Sequence, residues 1–158
     1  MNNLSRAVLF LLVLAHLLLH VGMGFGRGAP DLFLVATLVA GRLTHVGVAA
    51  GLGFALGLME DAFSVLSFGS NAFALAVTGI AAARSRDLFV GDSTLFLFSY
   101  FFIGKWARDI LSWLVSNSTV RDGFVEHLMV SAPIAGAYAA LVGIVVVVVL
   151  RTRAGGWE

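Results

Sequence analysis

Residues Gly51 to Thr78 read G-L-G-F-A-L-G-L-M-E-D-A-F-S-V-L-S-F-G-S-N-A-F-A-L-A-V-T. Small residues recur at helical spacing: Gly47, Gly51, and then Gly53 to Gly57. That spacing puts them on helix faces and lets another backbone approach closely, as in G-x-x-x-G packing. The helix should end at Glu60-Asp61, with Ser64 just beyond. Phe68-Gly69-Ser70-Asn71 supplies turn residues, and Ser70 or Asn71 can cap a second helix. From these residues alone the stretch is a tightly packed helical hairpin with an acidic interfacial turn.

Working outward, the flanking sequence is equally apolar. The 158 residues are 59% hydrophobic and only 12% charged, where soluble domains carry about 25% charged residues. So little charge cannot cover a water-exposed surface, and the expected solvent is lipid. The formal net charge of +1 leaves nothing to neutralise a run of phosphates, which argues against nucleic acid as a partner. There is no cysteine, hence no disulfide, thiolate metal site or thiol nucleophile.

A hydrocarbon core of about 30 Å needs about 20 helical residues. The segment from Asp31 to Asp61 would reach about 45 Å as one helix, so it should break where Gly41-Arg42 and Thr44-His45 fall. Pro30-Asp31 suits a helix start, because Pro fits the first turn and Asp favours its positive end. The predicted helices are 7–25, 31–42, 46–60, 71–84, 94–116 and 127–150, an all-α six-helix transmembrane bundle in one domain over 1–158. The N-terminal apolar run resembles a signal peptide, but His16 and His20 interrupt it and no A-x-A-like site follows, so a retained first helix is expected. With both termini inside, the cytoplasmic side receives Arg6, Arg42, Arg84, Arg86, Arg151 and Arg153, and the outer side only Arg27 and Arg121. Five spans with the N-terminus outside would leave Arg42 mid-helix in lipid.

Pro30-Asp31 opening a helix, G-L-M-E-D-A-x-S across residues 57–64, then F-G-S-N-A-F-A-L across 68–75 and a basic turn after the next helix together resemble MreD. That family is the small inner-membrane subunit of the bacterial rod-shape machinery. Its members show P-D, G-x-x-x-G-L-x-x-D, a nearby Ser and G-x-N-A in this order, and the resemblance covers Ala29 to Arg86. It marks Pro30, Asp31, Gly53, Gly57, Glu60, Asp61, Ser64, Gly69 and Asn71 as partner-binding or structural residues. Glu60 departs from the pattern, since many relatives have an uncharged or amide residue there. The resemblance implies a non-enzymatic subunit of the bacterial inner membrane without a cofactor. It would bind MreC and, through it or directly, RodA with its class B transpeptidase, with MreB indirectly involved. It also implies a fold similar to the substrate-binding subunits of energy-coupling-factor transporters.

Lys105, Arg108 and Asp109 form a polar cluster inside the fifth apolar segment. Charges at membrane depth are costly and usually face a bundle interior. Lys105 and Asp109 are four apart and could pair on one face, with Trp106, Ile110 and Trp113 on the other. Alternatively the span ends near Gly104, and 105–116 is an amphipathic helix lying at the outer surface. His16 and His20 also share a face, but His45, His127, Glu60 and Asp61 do not converge on them convincingly, so no metal site is expected. No H-E-x-x-H or G-x-S-x-G occurs, and Ser112 and Ser116 lack a nearby His. Asn117-Ser118-Thr119 matches a glycosylation acceptor but reads as part of a polar external loop. An assembly subunit is therefore expected ahead of a small-molecule-binding specificity subunit of a transporter, whose A-x-x-x-A stripe the Leu-rich first helix lacks. An intramembrane enzyme comes third.

Overall fold

The computed structural model describes residues 3–19, 30–63, 68–86, 93–116 and 132–154. Among them are six helices and no strand: α1 (Asn3–Leu17), α2 (Leu32–Leu43), α3 (Val46–Asp61), α4 (Ser70–Ser85), α5 (Thr94–Val115) and α6 (Ala132–Ala154). The break expected in the long apolar stretch falls at Thr44-His45, both in extended conformation, rather than at Gly41-Arg42. Gly41 stays helical and packs so closely on α4 that a Cβ would meet Ala82 Cβ at 2.5 Å.

Three boundaries need correction. The first helix starts at Asn3 rather than residue 7, and 20–29 lie outside the described residues. The last is described from Ala132 and runs past 150 to Ala154. Arg151 and Arg153 thus sit in its final turn, where cations complement the negative end of the helix dipole. Pro30 precedes the N-cap instead of occupying the first turn. Asp31 is the cap, its Oδ1 accepting from Leu34 N at 3.0 Å.

Helix α2 is the hub. Every residue from Leu32 to Gly41 is buried, and α2 touches all five other helices. An all-round apolar sequence such as LFLVATLVAG suits a helix whose every face is kept from water by protein or lipid, and here the other helices cover it. His16 of α1 stacks on Phe33 at 3.9 Å. Tyr100 of α5 donates its hydroxyl to Leu38 O at 3.1 Å. Thr37, wholly buried at mid-helix, satisfies its hydroxyl by donating to Phe33 O at 2.8 Å.

The closest pair is α3 and α4, running antiparallel. A Cβ on Gly53 would collide with Leu75 O, one on Gly57 with the Ala72 backbone, and one on Gly79 with Ala49 O. Gly53 and Gly57 therefore face α4 as their spacing predicts. Gly47 and Gly51 do not: a Cβ at either would meet nothing within 4 Å. They lie on the exposed side of α3.

The up-and-down path brings the end of α1, the start of α2, the end of α3, the start of α4 and the last third of α5 to one end of the bundle. Arg42, Arg84 and Arg86 lie at the other. There Arg42 sits over Tyr100 and Phe96, 5.4 and 5.9 Å from the ring centroids, and Arg86 Nη1 donates to Thr44 O at 3.5 Å. Among the described residues one helix, Ala132–Arg153, is long and apolar enough to cross a membrane, while α1 and α2 are shorter apolar helices.

Candidate functional site

The acidic end of the bundle is assembled from two motifs far apart in the chain, the α3–α4 turn and the charged face of α5. In α5, Lys105, Arg108, Asp109 and Ser112 fall on one helical face, with spacings of three and four. Helix α5 is unbroken from Thr94 to Val115 and buries Lys105, Arg108 and Asp109 against α2 and the α3–α4 turn. The surface-helix alternative for 105–116 is thereby set aside. Trp106, on the opposite face, is exposed.

Arg108 is the centre. Its Nη2 donates to Glu60 Oε1 at 2.5 Å and to Asn71 Oδ1 at 2.8 Å. Its Nη1 lies 3.3 Å from both Asp31 Oδ2 and Asp109 Oδ1. One guanidinium thus joins α2, α3, α4 and its own helix. The flat fork of donors suits Arg to this task in a way that the single ammonium of Lys does not. Lys105 pairs with Asp109 one turn on, and its Nζ is 3.5 Å from Asp31 Oδ2. Ser112 Oγ, one turn beyond Arg108, lies 3.1 Å from the same Asn71 Oδ1.

Asp61 does something different from its neighbour. Its side chain, 1% exposed, turns away from the cations and accepts three backbone N–H groups: Gly69 N at 2.9 Å, Ala72 N at 3.0 Å and Asn71 N at 3.2 Å. A helix start leaves its first amides unpaired, and here the carboxylate closing the preceding helix takes them. The expectation that Ser70 or Asn71 caps α4 is thus corrected. The N-cap is Gly69, which has no side chain to offer and adopts φ +96, a left-handed conformation that glycine accepts without strain. Asn71, relieved of capping, presents its amide to Arg108 and Ser112.

Asp31, Glu60, Asn71, Lys105, Arg108 and Asp109 therefore come together, with Asp61 and Gly69 supporting them and Gly53 and Gly57 setting the hairpin beneath. Pro30 enters only through its neighbour Asp31. Ser64, His20 and His127 lie outside the described residues. Sequence reasoning missed Ser112 as a member, although its place one turn after Arg108 was the signal. It also missed His16 as a packing residue stacked on Phe33. Among the described residues no group of three or more His, Asp or Glu side chains is arranged to hold a metal.

The carboxylates of this site are each held by a cation or by backbone amides. Removing one partner of such a buried pair costs about 3–5 kcal/mol, while replacing the whole set by well-packed apolar groups is often neutral. The arrangement's evident physical product is register, since four helices align only where Arg108 meets its partners. No protein-family model, curated protein or solved structure matches the chain.

Proposed function

We propose that this chain is a multi-pass subunit of the bacterial inner membrane that binds other membrane proteins and performs no chemistry. The observation that carries this reading is an inverted distribution of polarity. Four of the most strongly ionic side chains, Asp31, Lys105, Arg108 and Asp109, are buried, while α6 exposes Ile134, Tyr138, Leu141, Val145 and Val148. Those positions recur every three or four residues and form a continuous apolar stripe along the helix. The exposed Phe10, Leu11, Leu14 and Leu18 extend the apolar exterior to the first helix. Water would favour the opposite arrangement, whereas hydrocarbon favours this one. Twelve-residue α2 spans about 18 Å, short of the bilayer core, yet it is sheathed by the others and need not face lipid along its length.

Within that class we take the resemblance to MreD as the specific proposal. The subunit would bind MreC and help to position or regulate the peptidoglycan synthase formed by RodA and its class B transpeptidase, with six spans and both termini cytoplasmic. Supporting it, the residues that carry the resemblance (Asp31, Gly53, Gly57, Glu60, Asp61, Gly69 and Asn71) cluster around the α3–α4 turn instead of being scattered. The basic residues Arg42, Arg84 and Arg86 lie at the opposite end, as a cytoplasmic face requires. Depletion of the protein tests the proposal: cells should round, and detergent extracts should yield it with MreC. A vitamin requirement without rounding would point instead to a transporter specificity subunit.

A further inference from the structure

We infer that the basic end of the bundle holds the phosphate of an anionic phospholipid, with the Arg42 guanidinium at the centre of the site. The inference goes beyond the assembly-subunit reading and rests on the bundle lying in a bilayer. Arg42 belongs to the last turn of α2 and is partly buried. Its guanidinium lies over the Tyr100 and Phe96 rings, 5.4 and 5.9 Å from their centroids. Aromatic faces attract the cation, but they leave the N–H edge of its fork without acceptors. Among the described residues no carboxylate, hydroxyl or carbonyl meets that edge. Two rings of α5 thus fix a flat set of donors that no described residue receives.

The setting is a corner with a surplus of positive charge. A Cβ on Gly41 would collide with Ala82 Cβ and crowd the Ala83 backbone, so the last turns of α2 and α4 are in contact. Arg84 and Arg86 are exposed at that end of α4, and Arg86 Nη1 donates to Thr44 O, two residues beyond Arg42. Arg6, near the start of α1, is exposed at the same end of the bundle. The acidic residues that are described, Asp31, Glu60, Asp61 and Asp109, all lie at the opposite end. Residues 87–92 contain two more, Asp87 and Asp92. Even with both set against the four arginines, a surplus of two positive charges remains. The C-terminal stretch adds Glu158, but also Arg151 and Arg153.

A phosphodiester answers both observations. It brings one negative charge and two acceptor oxygens spaced for the guanidinium fork. Basic pockets between transmembrane helices on the cytoplasmic side take headgroups of this kind. The surface beside the corner favours a lipid over a free phosphate. Leu95, next to the Phe96 ring that carries Arg42, is 76% exposed. Acyl chains can lie along that side of α5 while the phosphate faces the arginines, and a soluble anion gains nothing from it.

The test offers the full chain, in detergent micelles, equal amounts of phosphatidylglycerol and phosphatidylethanolamine with identical acyl chains. Native mass spectrometry reads which lipid stays bound. Phosphatidylglycerol should be retained about fivefold over phosphatidylethanolamine, the advantage expected of one arginine beside an anionic headgroup. Arg42→Gln should abolish the preference, while Arg153→Gln, an exposed charge outside the corner, should leave it in place. Equal retention of the two lipids overturns the inference, as does a preference that survives Arg42→Gln. So does an equal loss in Arg153→Gln, since diffuse surface charge would then account for the binding. Displacement of the lipid by millimolar inorganic phosphate also overturns it, because the site would then take the free anion. Should Arg42→Gln not fold, Arg84→Gln takes its place under the same outcomes. A chain released from membranes by carbonate would fell the bilayer reading itself, whereas an inserted chain indifferent to headgroup fells only this inference.

Discussion

Along the α3–α4 seam two helices meet where side chains are missing, and at the end of the same seam they meet through long charged ones. Gly53, Gly57 and Gly79 let backbone touch backbone. A few ångströms further on, Arg108 reaches across to Glu60 and Asn71. The first kind of contact tolerates no added atom, and the second tolerates no removed one. Both fix the same hairpin, but the glycine seam sets a distance whereas the ion cluster sets an axial and rotational register. Asp61 ties the turn to the glycine seam, since it closes α3 beside Gly57 and holds the amides of residues that Gly57 packs against.

The comparison would break most visibly at Arg108. Arg108→Met leaves the buried Asp31 and Asp109 and the part-buried Glu60 with one cation and should lower stability by about 3–5 kcal/mol, read as loss of folded protein in detergent unfolding. Adding Asp31→Asn and Glu60→Gln to it should recover part of that loss. If the triple variant is worse than the single, the cluster is not the coupled unit described. Next in size is Gly57→Ala, whose Cβ meets the Ala72 backbone, which cannot swing aside. Overpacking of this kind costs about 1–3 kcal/mol. Asp61→Ala removes three capping bonds and should cost about 2 kcal/mol, near the upper end for a cap, with insertion retained. Combined with Gly57→Ala its effect should be non-additive, as for neighbours that share a backbone shift. The smallest effect sharpens the contrast: Gly51→Ala meets open space and should be neutral or stabilising by about 0.5–1 kcal/mol. A large loss there would show a surface in contact with something beyond the described residues.

Much of the hairpin was legible because its determinants are local. Gly53 and Gly57 suggest a close seam by their spacing, although the same spacing at Gly47 and Gly51 falls on an exposed face, and Gly69 declares a turn. Lys105 and Asp109 were readable as a pair for the same reason. The convergence of the two motifs was not legible, since Arg108 and Glu60 are 48 residues apart and no local pattern records such a meeting. Capping of α4 was misassigned because the rule looks to the residue beside the helix start. Here the carboxylate comes from eleven residues before Ala72, around the turn. Helix α2 shows a further limit. Its uniform run of apolar residues is the same whether protein or lipid surrounds it, and only the packing reveals that it is the hub.

The grip of Asp61 on the start of α4 bears on how the polypeptide is built. Chains are synthesised from the N-terminus, so every residue of this hairpin, Asp61 and its amide partners included, is made before α5 is. Asp31 and Glu60 precede Arg108 in the chain, so the guanidinium that answers them is made only later. Until α5 is made, those acidic groups lack the cations it carries. Docking of α5 ends that stage, since the Lys and Arg it carries meet those carboxylates.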